Sequence, residues 1–150
     1  MWYYDRELDT NFGFPSLEKV QSIGPESLTG EQYLSDPINT FACVRVIVSS
    51  SNGVRIDHVN IESDLEVYLT EFMTSYSPNN THIVVSGGSE AWTKSRVLVT
   101  DLIGFFRGKG FCLPDANIDV FGNVEREIHV FQDRVEVYVN KVLYKTINFI

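Results

Sequence analysis

Two apolar runs in the middle of the chain are separated by a short polar turn. The first run, FACVRVIV at 41–48, and the second, VRIDHVN at 54–60, are rich in β-branched residues, which is typical of strands. Between them, SSSNG at 49–53 supplies the serine, asparagine and glycine that tight turns favour. The pattern therefore predicts a β-hairpin in this part of the chain.

After the hairpin, the apolar spacing changes to the period of a helix. Leucine and aromatic residues recur at helical spacing over 64–76, and Ser63 with Glu66 forms a capping-box pattern at the start. The run HIVVSGG at 82–88 predicts a buried strand that ends in two glycines. A second periodic stretch predicts a helix from about 90 to 109, where GKG ends it.

The C-terminal part of the chain returns to strand-like patterns. Four runs, ANIDVFG, REIHVF, RVEVYV and VLYKTINF, follow one another, with polar turn residues before the third and fourth. The element order ββαβα followed by a β-meander predicts an α+β fold, in which two helices pack on a layered, mixed β-sheet. We assign residues 39–150 to this domain. Residues 1–38, with frequent Gly and Pro, are predicted to form an irregular extension packed on the core. A flexible recognition arm is the alternative interpretation of this segment.

Composition and charge exclude several classes of function. The chain has 150 residues and is 43% hydrophobic, which suits one folded domain. A formal net charge of −8, with only 12 Lys and Arg, argues against nucleic acid and anionic membranes as partners. No apolar stretch approaches the roughly 20 residues of a membrane-spanning helix. The charge favours a basic protein surface as a partner, and we expect the chain to be a monomer.

The beginning of the sequence, MWYYDRELDT, lacks the basic segment and apolar run of a secretory signal. The expected location is therefore the cytoplasm. An effector that is secreted into a host cell without a cleavable signal peptide would fit the same observation.

Cys43 and His58 are the candidate nucleophile and base, because each lies in one strand of the predicted hairpin. A cysteine nucleophile needs a partner that takes its proton, and directly opposed strand residues have Cβ atoms within about 5.5 Å. A four-residue loop would place the two residues opposite each other. A five-residue loop, which the valine pattern favours, would place them on opposite faces and pair Arg45 with Asp57. A β-bulge would reconcile the two registers, and two buried structural residues are the alternative interpretation.

The order of four segments carries a resemblance to known enzymes. These segments are FACVRVIV with the cysteine, IDHVNI with the histidine, HIVVSGGSEAW with the Gly-Gly loop, and DVFGNVEREIHVFQDRVEVYV. Over residues 39 to about 139 the chain resembles the CheD-type family of protein deamidases. It is also similar in layout to the catalytic domain of cytotoxic necrotizing factors and to N-terminal asparagine amidohydrolases. In the last segment the corresponding residues are Gly122, Asn123 and Arg126.

The chain departs from the CheD-type pattern at two places. TFAC stands where GLGSC is expected, and Asn60 and Ile61 stand where Leu-Pro follows the histidine. The family's third catalytic residue, a threonine, would fall on Pro37, so Thr40 is the nearest hydroxyl. If the resemblance holds, these departures indicate a divergent branch, which resembles bacterial toxin or effector deamidases more than a chemotaxis enzyme.

The resemblance implies a hydrolase that deamidates glutamine side chains through a thioester and needs no metal or cofactor. It implies that Cys43 is the nucleophile, His58 the base and Thr40 the third catalytic residue. The wall of the substrate cleft would be formed by Ser86, Gly87 and Gly88. Three alternatives stay open: a catalytically silent, acidic protein-binding module with the same fold, a transglutaminase, and an N-terminal asparagine amidohydrolase.

The remaining cysteine and histidines are weaker candidates. His82 and His129 are interpreted as structural or surface residues, and Cys112, in GFCLP, is expected to be buried. No Cys and His spacing resembles a zinc site.

Overall fold

The structure is a computed structural model, and it describes only part of the chain. At Cys43 and His58 the backbone alone is described, and the same holds for the strands before residue 42. The described residues are 2–7, 21–23, 33–34, 43–51, 53–60, 65–88, 93–121, 127–131 and 133–149.

Within these residues the chain forms ten strands, two α-helices and two short 3-10 helices. The strands are β1 (Trp2–Glu7), β2 (Gln21–Ile23), β3 (Tyr33–Leu34), β4 (Cys43–Ser50), β5 (Gly53–Asn60), β6 (His82–Gly87), β7 (Ile118–Val120), β8 (Glu127–Val130), β9 (Arg134–Val139) and β10 (Val142–Asn148). The α-helices are α1 (Leu65–Ser75) and α2 (Thr93–Gly108). The α+β class, the central hairpin and both helices are confirmed. The capping residue Ser63 lies outside the described residues.

The strands form two sheets rather than the one sheet predicted from the sequence. The first sheet has six strands in the order β2-β1-β5-β4-β6-β7, and the second has four in the order β10-β9-β8-β3. The first is mixed, because β1 pairs parallel with β5 and β6 pairs parallel with β7. β7 was predicted to begin the meander, but the Asn117 side chain donates a hydrogen bond to the Ile83 carbonyl, 3.2 Å away. This contact helps to fix β7 beside β6.

The first sheet is covered on both faces. In β4, Val44, Val46 and Val48 pack against the helices, while Ile47 belongs to the apolar cluster shared with the second sheet. Every one of these side chains is fully buried. Burial of an aliphatic side chain of this size stabilises the fold by about 1.5–3 kcal/mol. The molecule therefore has three layers, with helices, first sheet and second sheet in that order.

Aromatic rings hold the two helices together. The Phe72 ring in α1 lies 4.8 Å from the Phe106 ring in α2 and 5.5 Å from that of Phe111, measured between ring centres. Both helix residues are fully buried, as the helical spacing in the sequence predicts. This packing places α1 and α2 side by side on the first sheet.

The N-terminal segment contributes strands to both sheets. β1 pairs with β5 from Trp2 opposite Gly53 to Glu7 opposite His58, β2 pairs with β1, and β3 pairs with β8. At these positions the chain forms strands where the sequence predicts irregular structure, while the domain boundary at residue 38 stays a prediction. Residues 8–20 and 24–32 lie outside the described residues. Sequence periodicity does not reveal these strands, because their partners lie far along the chain.

Candidate functional site

The register of the β4–β5 hairpin decides whether Cys43 and His58 share a face. Ser50 pairs with Gly53, so the turn has two residues, and Cys43 pairs with Asn60. Both loop lengths derived from the sequence, four and five residues, are therefore wrong. His58 lies opposite Arg45, and the predicted pairing of Arg45 with Asp57 is also wrong.

The observed register places positions 43 and 58 on the same face of the first sheet. Residues that lie directly opposite share a face, and so do residues two apart along one strand. Cys43 and His58 are thus diagonal neighbours, one pair removed from direct opposition. Diagonal neighbours in antiparallel strands lie roughly 7–8 Å apart, a distance that a long or aromatic side chain can span. This face is the one that carries Ile47 and turns toward the second sheet.

Five polar residues lie in one row across this face. Glu7 in β1 is paired with His58 in β5, His58 with Arg45 in β4, and Arg45 with Ser86 in β6. Ser86 is paired in turn with Asp119 in β7. The row crosses five neighbouring strands. Cys43 lies two residues from Arg45 along β4, so it is the next position of that strand on the same face. The candidate nucleophile and base are therefore part of a larger polar arrangement.

The members of this row whose side chains are described are buried. Arg45, Ser86 and Asp119 are 3%, 0% and 5% exposed. The Ser86 hydroxyl donates a hydrogen bond to the Asp119 carboxylate, with 3.1 Å between the oxygens. Charged groups away from water are costly unless they are paired or hydrogen-bonded. Apolar packing alone therefore does not explain why these polar side chains are buried in this layer.

The two glycines predicted to line the cleft lie at the end of β6 and are buried. Both have positive φ, 117° for Gly87 and 82° for Gly88. A Cβ on Gly88 would lie 2.7 Å from a methyl group of Val99 in α2. Glycine is therefore required here by the close approach of the chain to α2. The role of Ser86, Gly87 and Gly88 as a cleft wall stays a prediction.

Several residues named from the resemblance cannot be placed. Thr40, the predicted third catalytic residue, lies outside the described residues. The same is true of the three positions in the closing segment, Gly122, Asn123 and Arg126.

A second buried polar group lies on the opposite face of the same hairpin. Arg55 donates a hydrogen bond to Asp57 at 2.8 Å, and the Tyr68 hydroxyl of α1 donates to the same carboxylate oxygen at 2.6 Å. The Arg55 guanidinium also lies over the Tyr76 ring, 4.7 Å from its centre. Burial opposes the charge on Arg55, but attraction to Asp57 and to the neighbouring tyrosines outweighs it and raises the pKa of Arg55. This group joins β5 to α1.

A groove of about 660 Å³ lies between the helices, on the side of the first sheet away from Cys43. Leu65, Leu69 and Met73 of α1 line one side, and Phe105 and Lys109 line the other. It is therefore separate from the cleft that the sequence predicts at Cys43.

The other candidates differ in their surroundings. Cys112 is a free, exposed thiol, so its predicted burial is wrong. The connection that carries it buries its neighbours Phe111 and Leu113 instead. His82 is exposed, while His129 is buried with its ring stacked 4.0 Å from that of Tyr138. These positions agree with the structural or surface roles predicted for the two histidines.

Sequence reasoning missed Glu7, Arg45 and Asp119 as members of the site. For Arg45 and Asp119 a signal was present, because each is the single polar residue within an apolar stretch, CVRVIV and IDV. An isolated polar residue between β-branched neighbours in a strand covered on both faces must be buried. For Glu7 no local signal exists, since its place depends on the parallel pairing of β1 with β5.

Among the described residues, no group of three or more His, Cys, Asp or Glu side chains is arranged to hold a metal ion. No helix in the described ranges has the length and apolar character needed to span a membrane.

The chain matches no protein-family model, no curated protein and no solved structure.

Proposed function

We propose that this protein is a cysteine-dependent protein deamidase that hydrolyses the side-chain carboxamide of glutamine. One observation carries the proposal: the hairpin register gives Cys43 and His58 a common face and neighbouring positions. The resemblance of the segment order to CheD-type deamidases supports the same reaction. The buried polar row beside the pair is further support, because charged side chains are rarely buried in an apolar layer without a partner or a function.

The reaction begins with proton transfer from the Cys43 thiol to the His58 imidazole. The thiolate attacks the carboxamide carbon, and backbone N–H groups near Cys43 stabilise the negative oxygen that develops. The imidazolium then gives its proton to the leaving nitrogen, so that ammonia departs and a thioester remains. His58 next takes a proton from water, the resulting hydroxide cleaves the thioester, and the Cys43 thiol is restored. The net change converts one amide and one water into one carboxylic acid and one ammonia.

Thr40 is proposed as the third catalytic residue, which orients the imidazole through its hydroxyl or its backbone carbonyl. Neither a metal nor a cofactor takes part in these steps. The product carries one more negative charge than the substrate, so the consequence falls on the substrate protein. We propose an effector or toxin role, in the cytoplasm or in a host cell, with a regulatory protein as the substrate.

The test uses an unfolded, glutamine-rich protein and a set of glutamine peptides as substrates. Incubation with the native protein is expected to raise the substrate mass by about one dalton per deamidated residue and to release ammonia. Cys43→Ala and His58→Ala are expected to fold and to lose this activity. Cys112→Ala is the matched control, because it also removes a thiol but lies outside the hairpin, and it is expected to keep full activity. Equal activity in Cys43→Ala and the native protein would exclude the mechanism.

The same assay separates deamidation from transglutamination. A primary amine added to the mixture replaces water in the second step if the thioester is open to amines. The substrate would then gain the mass of the amine less that of ammonia. A peptide with an N-terminal asparagine tests the related amidohydrolase reaction.

A second candidate is a catalytically silent, acidic protein-binding module with the same layered fold. The burial of Arg45, Ser86 and Asp119 favours it, because a fully closed row would serve packing and register rather than turnover. Rapid and selective reaction of Cys43 with iodoacetamide near neutral pH would support the enzyme. Cys43 that resists the reagent in the folded protein would support the binding module.

A further inference from the structure

His82 and Cys112 form a second pair of histidine and cysteine, at the surface of the first sheet. An isolated parallel bridge pairs the two residues directly, although they lie far apart in the sequence. Both residues are exposed, and Cys112 is a free thiol. Directly paired residues of neighbouring strands project from the same side of a sheet. The imidazole and the thiol are therefore neighbours that a ligand in solution can reach.

The backbone that carries His82 is held in place. His82 is the first residue of β6 and is paired with Ser49 of β4 on the side away from Cys112. Just before it, the Thr81 hydroxyl donates a hydrogen bond to the Ser77 carbonyl, with 2.7 Å between the oxygens. The position of the imidazole is thus set by strand pairing on both sides.

The backbone that carries Cys112 is anchored by its two neighbours, Phe111 and Leu113, whose side chains are buried in the core. The Phe111 N–H donates a hydrogen bond to the Phe106 carbonyl at 3.0 Å. The Leu113 carbonyl accepts one from the Arg107 side chain, also at 3.0 Å. Two side chains on a fixed backbone lose little freedom when they bind a common ligand.

A thiolate and a neutral imidazole are ligands that Zn²⁺ prefers, whereas Mg²⁺ and Ca²⁺ prefer oxygen. A tetrahedral ion with bonds of about 2.3 Å to sulfur and about 2.0 Å to nitrogen holds these two donor atoms roughly 3.5 Å apart. Neighbouring strands lie about 4.8 Å apart, so side chains at directly paired positions can reach one ion. The pair therefore suits a zinc-type cation.

One chain supplies only half of such a site. Structural zinc sites have four protein ligands, and no third Cys, His, Asp or Glu side chain joins this pair in the part of the chain that the structure describes. A two-fold axis brings the same surface of two copies together, so two copies supply four ligands. Both ligands are exposed, as a shared site requires.

We propose that His82 and Cys112 are half of a zinc site that two copies of the chain share. Two Cys112 thiols release their protons to solvent as the two Zn–S bonds form, and two neutral imidazoles complete the tetrahedron. Charge makes the dimer depend on the metal. Two chains that each carry a formal net charge of −8 repel each other, whereas Zn²⁺ with two thiolates is neutral.

The experiment follows the oligomeric state of the full chain by sedimentation velocity, with a phosphine reductant present so that no disulfide forms. Without metal the chain is expected to be a monomer. Zn²⁺ at one ion for every two chains is expected to produce a dimer, and EDTA to restore the monomer. Mg²⁺ is the matched control and is expected to have no effect. A chain that stays monomeric with this amount of Zn²⁺ would overturn the proposal.

Cys112→Ser and His82→Gln test the two ligands separately. Each is expected to abolish zinc-dependent dimerisation and to leave the thermal unfolding midpoint of the metal-free chain unchanged, because both side chains are exposed. Cys43→Ala is the matched control, since it removes the other cysteine, and it is expected to dimerise like the native chain. Dimerisation that persists in either ligand variant would mean that Zn²⁺ binds elsewhere, and the proposal would be wrong.

Co²⁺ in place of Zn²⁺ reports on the ligands themselves. A tetrahedral site with thiolate ligands is expected to give strong visible absorption and a sulfur-to-cobalt charge-transfer band. Cys112→Ser is expected to lose that band, and a band that remains in this variant would overturn the assignment of the ligands.

Neither Cys43 nor His58 takes part, so this inference and the proposed deamidase activity fail separately. Zinc-dependent dimerisation without deamidation would leave the shared zinc site standing and remove the enzyme. Deamidation by a chain that stays monomeric with Zn²⁺ would leave the enzyme and remove the zinc site.

Discussion

Gly88 is the point at which the chain leaves β6 and passes against helix α2. Its positive φ of 82° suits glycine, and a side chain there would meet Val99. Arg45 and Asp119 are also unusual residues, because each is a charged side chain buried in a strand. At this scale the sequence shows which residues are unusual, but their neighbours follow from the fold.

Gly88→Ala is expected to destabilise the protein by about 1–3 kcal/mol, because the new methyl group overlaps Val99 and the backbone conformation becomes strained. The free energy of unfolding is measured by urea titration. Gly104→Ala, in the middle of α2 with no atom within 4 Å of the added methyl, is the control. It is expected to stabilise by roughly 0.5–1 kcal/mol, since alanine favours a helix. Two substitutions with equal effects would contradict this account.

Helix α1 is held to strand β5 by polar contacts as well as by apolar packing. The Tyr68 hydroxyl reaches the Asp57 carboxylate at 2.6 Å, and both residues are fully buried. The sequence predicts α1 from its apolar spacing, and Tyr68 is not part of that pattern. The hydroxyl contact explains how Asp57 can lie beneath the helix in place of an apolar residue.

Tyr68→Phe is expected to lower the free energy of unfolding by about 1.5–3 kcal/mol, because a buried carboxylate loses a donor. Thermal and urea unfolding both measure this change. Tyr144→Phe removes the same hydroxyl from a side chain that is 64% exposed, and it is expected to change stability by less than about 0.5 kcal/mol. A Tyr68→Phe protein as stable as the parent would show that the hydroxyl contributes no net stability.

At the scale of the whole molecule, each sheet joins strands from the N-terminal segment to strands much later in the sequence. β1 lies between β2 and β5, and its six residues pair in parallel with β5. β3 covers the edge of β8 in the second sheet. The boundary that the sequence suggests at residue 38 therefore separates strands that share a sheet.

A fragment of residues 39–150 is expected to associate with itself in a concentration-dependent manner. Without β1 and β3, strands β5 and β8 become open edges whose N–H and C=O groups can pair with another chain. Sedimentation velocity at several concentrations measures the effect, with the full chain as the control. A monomeric fragment with the unfolding midpoint of the full chain would support the extension predicted from the sequence instead.

Local features of the fold could be predicted because neighbouring residues carry them. The apolar spacing gave both helices to within a few residues, and the serine and glycine turn gave the central hairpin. Cys43 and His58 could be named as a candidate pair for the same reason, since each stands in one strand of that hairpin, and their catalytic role stays a prediction. Such signals depend on short-range geometry, which the sequence records directly.

The register, the partition of the strands into two sheets and the polar row were decided by the tertiary structure. β5 carries apolar residues on both faces, with Val54 and Ile56 toward the second sheet and Val59 toward the helices. Alternation cannot select a register when both faces are buried, because either choice buries some apolar side chains. What the sequence determined was therefore the elements and the candidate pair. Which charges surround that pair follows from pairings between strands far apart in the chain, and no local pattern encodes those.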